Sequence, residues 1–146
     1  MRLVLDTCVI VAALRSDRGA SRRLLLAALD KRVCMLVSVP LLIEYEAVLT
    51  RPEHLAAAGI SRADMNSVLD AIVAVAEPVT LRFLWRPQLQ DPADEMVLAT
   101  AVLGRADRLV SFNVRHFRPA VTSFGIRITP PVEAWRSIEG AKHEEK

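Results

Sequence analysis

Four acidic positions carry the chemistry open to this chain: Asp6, Glu44, Asp91 and Asp94. Asp6 closes the apolar run MRLVLD, and Glu44 stands six residues past Ser38 within PLLIEYEAVLTR. Asp91 and Asp94 open the segment DPADEMVLATAVLGR, and a carboxamide, Asn113, follows a further apolar run, DRLVSF. Thr7, Ser38 and Ser111 add hydroxyls beside these positions. Each acid has a structural reading of its own. Asp6 and Asp91 suit helix N-caps, Asp94 suits a first helical turn where the dipole favours negative charge, and Glu44 suits a solvated helix face. Caps do not account for the set, because a second cap at Asp94 is redundant and Glu44 caps nothing. Acids converging on one edge repel unless a cation neutralises them. An all-oxygen donor set without clustered Cys or His selects Mg²⁺ or Mn²⁺. Sites of that kind activate water for phosphodiester cleavage, sometimes with two ions.

The elements that must position these residues follow from periodicity. MRLVLD reads as a buried strand, apolar on both faces, and VCMLVS at 33–38 reads the same way. Residues 8–14 turn helical behind Asp6-Thr7. A helix is expected over 21–31 with Ser21 as N-cap, and another over 40–51 behind Pro40. Ser61 caps an amphipathic helix, 61–76, whose apolar positions are Met65, Val68, Leu69, Ile72, Val73 and Ala76. A short strand is expected at 79–81, a loop at 82–91, a helix at 91–105 ending on Gly104, strands at 107–112 and 125–129, and a last helix behind Pro130-Pro131. Strands alternating with helices imply a parallel sheet, and right-handed crossovers leave all carboxyl ends on one edge, where such sheets bind ligands.

At 146 residues the chain has the length of one domain. Its hydrophobic fraction of 52% suits a sheet covered on both faces or an apolar oligomer face. No apolar run reaches the ~20 residues of a membrane span, and the start lacks a signal-peptide pattern, so a soluble, cytoplasmic protein is expected. Cys8 and Cys34 lack CxxC spacing and read as buried free thiols. The net charge is +2, with 16 Arg against 3 Lys, a bias that suits phosphate recognition and equally genome composition.

Four pieces in order, LVLDTCVIVAAL, LVSVPLLIEYEAVLTRP, DPADEMVLATAVLGRADRLVSFNVRHF and FGIRITPPVEAW, give the chain a resemblance to the PIN-domain family, particularly the VapC-like toxins of bacterial toxin–antitoxin pairs. The resemblance implies a three-layer α/β/α sandwich around a central parallel sheet; length and the polar end KHEEK lead us to expect a single domain over 1–138 and a flexible tail over 139–146. The resemblance also implies a Mg²⁺- or Mn²⁺-dependent endoribonuclease. Asp6, Glu44 and Asp94 fall on the family's metal-binding acids, with Asp91 or Glu95 as alternative bearers of the third role. Asn113 falls where the family carries a fourth acid and completes the catalytic set, supported by Asp91, Thr7, Ser38 and Ser111. Arg115 and His116, just beyond, are RNA-backbone contacts or ordinary surface residues. Implied partners are RNA, a small antitoxin and a second copy of the chain, with no membrane.

Two departures from the family pattern matter. Cys8 stands where the family has Asn, and a thiol is a poor donor to a carboxylate; Asn113 can ligate but brings no charge. They leave a second reading open, a non-catalytic PIN-like module that binds RNA or protein around a weakened metal site. Receiver domains and haloacid-dehalogenase-type phosphatases fit less well: no lysine is suitably placed for the first, and the second needs an Asp where Cys8 stands.

Overall fold

The computed structural model describes residues 1–82 and 89–144. Among these residues, five strands form one all-parallel sheet: β1 (Arg2–Leu5), β2 (Cys34–Val37), β3 (Glu77–Pro78), β4 (Arg108–Val110) and β5 (Arg127–Thr129), in the order β3-β2-β1-β4-β5. Leu3, Val4 and Leu5 are all buried, as a strand with both faces covered requires. Register is set by Leu3 opposite Met35 on one side and Val4 opposite Leu109 on the other.

Among the described residues, eight helices surround the sheet: α1 (Thr7–Arg15), α2 (Ala20–Leu29), α3 (Val39–Leu49), α4 (Pro52–Ala58), α5 (Arg62–Val75), α6 (Pro92–Leu103), α7 (Arg118–Phe124) and α8 (Pro131–Glu144). A 3-10 turn, Val114–Phe117, precedes α7. Two connections step from β1 toward β3 and two return from β3 toward β5 by way of β4. Right-handed crossovers therefore place helices on both faces, giving a three-layer α/β/α sandwich. The strand order reverses beside β1, so the crevice between the ends of β1 and β4 is the switch point where such sheets bind ligands. No described helix is long and apolar enough to cross a membrane.

The core runs from Leu3, Leu5 and Leu36 in the sheet to Ile10, Leu24, Leu41, Tyr45, Met65, Ile72 and Phe117 on the helices. Close packing fixes Gly104 at the end of α6: a Cβ there would lie 2.8 Å from the Thr100 carbonyl oxygen and from Val79, and 2.9 Å from Leu36.

Several local expectations shift. Helix α2 begins at Ala20 with Gly19 as N-cap, and Ser21 lies inside the helix with its side chain buried rather than capping. On α5, with Ser61 as cap, the buried stripe is Met65, Leu69 and Ile72, whereas Val73 is 53% exposed. The third strand is Glu77–Pro78 rather than 79–81. The Val79 N–H extends that ladder, donating to the Val37 carbonyl at 3.0 Å, and proline is tolerated on this edge. Cys8 and Cys34 are free, as expected, but half-buried rather than buried. Within the loop expected at 82–91, residues 83–88 lie outside the described residues. Helices α4 and α7 lie outside the expected elements, although Pro52 at the start of α4 and left-handed Gly59 at its end (φ 69°) are local signals for the former. Helix α8 continues through 139–144, the segment expected as a tail, and 145–146 lie outside the described residues.

Candidate active site

Asp6 leaves the end of β1 and is 7% exposed. It is the N-cap of α1, one of the two roles its position suits, and its other carboxylate oxygen reaches the end of β4. Its Oδ1 accepts the Thr7 N–H at 2.8 Å, while its Oδ2 accepts the Ser111 hydroxyl at 2.7 Å. Ser111, fully buried past the end of β4, accepts the Asn113 N–H at 2.9 Å. A backbone amide, a hydroxyl and a carboxylate thus form one chain across the switch point, which fixes the plane of the Asp6 carboxyl.

The Cys8 sulfur lies 3.7 Å from Asp6 Oδ2 and 3.8 Å from Ser111 Oγ. Burial first, and then the Asp6 charge, push its thiol above the ordinary range, so it stays protonated and is at most a weak donor. The adjacent Ser111 hydroxyl is the stronger donor to Asp6.

Glu44, half-buried on α3, receives the Thr7 hydroxyl on Oε2, so Thr7 serves Asp6 with its amide and Glu44 with its side chain. Glu46, two residues on, is exposed. The next residue after Glu44, Tyr45, is fully buried and donates its hydroxyl to the Leu5 carbonyl, anchoring α3 to the end of β1. Burial, and then the charges of Asp6 and Glu44, hold its phenol well above its ordinary range, so this donor remains in place.

Asp94 is in the first turn of α6, with a side chain 15% exposed. Desolvation pushes its carboxyl up, and repulsion from Asp6 and Asp91 adds to that; His116, with Nδ1 3.4 Å from Oδ2, opposes it. Asp94 and Asp6 are therefore electrostatic neighbours at the same edge. Asp91 is the N-cap of α6, accepting the Ala93 N–H at 2.8 Å, and is exposed. Glu95 accepts the Leu89 N–H on Oε2 at 2.8 Å, whereas Asp94 feels the charge of Asp6. A cavity of about 470 Å³ beside Asp94 is lined by Leu89, Gln90, Asp91, Arg115, His116 and Pro119. Arg115 and His116, left open between RNA contact and plain surface, thus share a hollow with two of the acids.

The expected site residues do not all converge. Asn113 presents its backbone N–H to Ser111 and is exposed at the rim. Ser38 touches none of the acids; its buried hydroxyl caps α3 and pairs with Thr100, a residue the sequence reading did not single out.

Among the described residues no three His, Cys, Asp or Glu side chains stand within common reach of one ion. Each acid is instead held by a neighbour: Asp6 by Thr7 and Ser111, Glu44 by Thr7, Asp94 by His116. The donors nonetheless suit a hard divalent cation. All are carboxylate oxygens, no described Lys or Arg pairs with Asp6, Glu44 or Asp94, and Asp94 registers the uncompensated charge of its neighbours.

The family model for the PIN domain matches residues 2–115. Among solved structures, the fold is similar to a chain of "Crystal structure of VapBC2 from Rickettsia felis bound to a DNA fragment from their promoter", with a TM-score of 0.60 and 17% identity over 88% of this chain and 97% of that one. At this identity the likeness is one of fold. No curated protein matches the chain in sequence.

Proposed function

The chain belongs to the PIN domain family, and on that premise we propose that it is a Mg²⁺- or Mn²⁺-dependent endoribonuclease, the toxin of a toxin–antitoxin pair. The observation that carries the reading is Thr7 joining two acids at the switch point, its amide on Asp6 and its hydroxyl on Glu44, with Asp94 opening α6 at the cavity that Arg115 and His116 also line. Asp6, Glu44 and Asp94 are the residues that would hold the metal. A bound divalent cation supplies Lewis acidity toward a phosphodiester and its attacking water. The chain's own groups do the rest. Ser111 and the Thr7 amide orient Asp6, Thr7 Oγ1 orients Glu44, and Tyr45 fixes the helix that carries it. Asn113 at the rim offers an amide for a water or phosphate oxygen, Arg115 offers a cationic contact to the RNA backbone, and His116 beside it offers a hydrogen bond.

The test is cleavage of single-stranded RNA with Mn²⁺ by the wild type and by Asp6→Asn. Loss of cleavage in the variant supports the assignment; equal cleavage by both rejects it.

The second reading is a non-catalytic PIN module. It is favoured by Cys8, whose protonated thiol is a weak partner for Asp6, and by the absence of three assembled ligands among the described residues. Calorimetric titration separates the two: RNA binding without Mg²⁺ or Mn²⁺ binding selects the module.

We also infer a cytoplasmic protein with two protein partners. A small antitoxin would place a segment in the acidic crevice, a reading supported by the fold similarity to a VapBC2 chain. A second copy would cover apolar surface such as Val39, Ile43 and Val73, which are exposed.

A further inference from the structure

The hydroxyls of Ser38 and Thr100 lie 2.8 Å apart, and both residues are buried. Their neighbours fix the direction of this bond. Thr100 Oγ1 donates to the Met96 carbonyl at 2.9 Å, so toward Ser38 it accepts. Ser38 Oγ therefore donates to Thr100, and it accepts the Leu41 N–H at 3.3 Å. The result is a one-way chain from the first turn of α3 to the middle of α6 in which every proton has a single acceptor. Neither hydroxyl touches a carboxylate.

We propose that Ser38 and Thr100 are positioning residues, their bond pinning α3 to α6 and thereby setting the spacing between Glu44 and Asp94. The proposal rests on the reading of those acids as metal ligands. Glu44 stands six residues beyond Ser38, and Asp94 six residues before Thr100. At the helical rise each acid is about 9 Å from the pin, so a tilt of roughly 6° displaces a carboxylate by about 1 Å. A misplacement of about 1 Å costs on the order of a hundredfold in rate. Apolar packing between the helices resists sliding, but the hydroxyl bond is directional and selects one relative orientation.

Thr100→Val keeps the shape and removes the hydroxyl, and Thr100→Ser keeps the hydroxyl. Ser38→Gly removes the partner from the other side at little cost to the cap, since glycine is tolerated there, and it decides the matter should Thr100→Val not fold. The readouts are kcat and KM on single-stranded RNA with Mn²⁺, Mn²⁺ affinity by calorimetry, and crystal structures of the metal-free proteins. Thr100→Val and Ser38→Gly should each lose roughly tenfold to a hundredfold in kcat with KM nearly unchanged. Thr100→Ser should recover the activity, and the Glu44–Asp94 spacing should move by about 1 Å in the two impaired variants. Wild-type kcat with unmoved carboxylates in folded Thr100→Val overturns the proposal, as does an equal loss in Thr100→Ser. If the wild-type protein neither binds Mn²⁺ nor cleaves RNA, the functional reading fails separately. The crystal structures then decide: displaced carboxylates uphold the pin, and unmoved ones reject it.

Discussion

Replacing Ser111 by alanine isolates the bond that orients Asp6. Ser111 is fully buried, donates to Asp6 Oδ2 at 2.7 Å and accepts the Asn113 N–H at 2.9 Å. A hydrogen bond to a charged group contributes about 1.5–3 kcal/mol, and the substitution also leaves the Asn113 amide without its acceptor. The expected cost for Ser111→Ala is therefore about 2–3 kcal/mol, corresponding to a fall in Tm of roughly 6–12 °C for a domain of this size. Urea unfolding followed by circular dichroism in chelator, with metal excluded, measures it directly. In an Asp6→Asn background the charge assistance is gone. There the same substitution should cost only about 1 kcal/mol, leaving a coupling energy of about 1–2 kcal/mol between the two positions. A cost below ~0.5 kcal/mol, or one equal in the two backgrounds, would falsify the claim that Ser111 acts through the Asp6 carboxylate.

Asp94 has its carboxyl pushed up by burial, Asp6 and Asp91. The native state therefore binds that proton more tightly than the unfolded chain does. Stability from this group is complete below the ordinary carboxylate range and declines as pH rises through the raised native value. Metal-free Asp94→Asn should accordingly be more stable than wild type at neutral pH, with the advantage fading on acidification. Thermal melts across pH in chelator check this, and a variant less stable at neutral pH contradicts the repulsion. Arg115→Ala should raise KM for RNA with little change in kcat and lower the salt slope by about 0.7 if one phosphate contact is lost; an unaltered slope rejects that contact. Gly104→Ala forces a Cβ to 2.8 Å from the Thr100 carbonyl oxygen and from Val79. It should cost about 1–3 kcal/mol in urea unfolding, and a neutral result would mean that the end of α6 can move.

The acids were legible because their signals are local. Asp6 ends an apolar run, Asp91 precedes Pro92 at a helix start, and Glu44 follows Ser38 at helical reach, so strand ends and caps alone put them on one edge. The parallel sheet followed from the alternation of apolar strands with helices, and the helix bounds of α5 and α6 followed from Ser61, Asp91 and Gly104. What sequence spacing could not supply was which hydroxyl serves which acid. Ser111 meets Asp6 across 105 positions, Thr7 meets Glu44 across 37, and Ser38 meets Thr100 across 62. Ser38 sat beside the acids in sequence yet pairs away from them, and Val73 matched the helical period yet faces outward. Periodicity and capping act within a few residues, where the chain's own geometry fixes the outcome. Long-range hydrogen bonds depend on how the sheet orders its strands and on which helix faces the neighbours leave open, and both are properties of the packed whole.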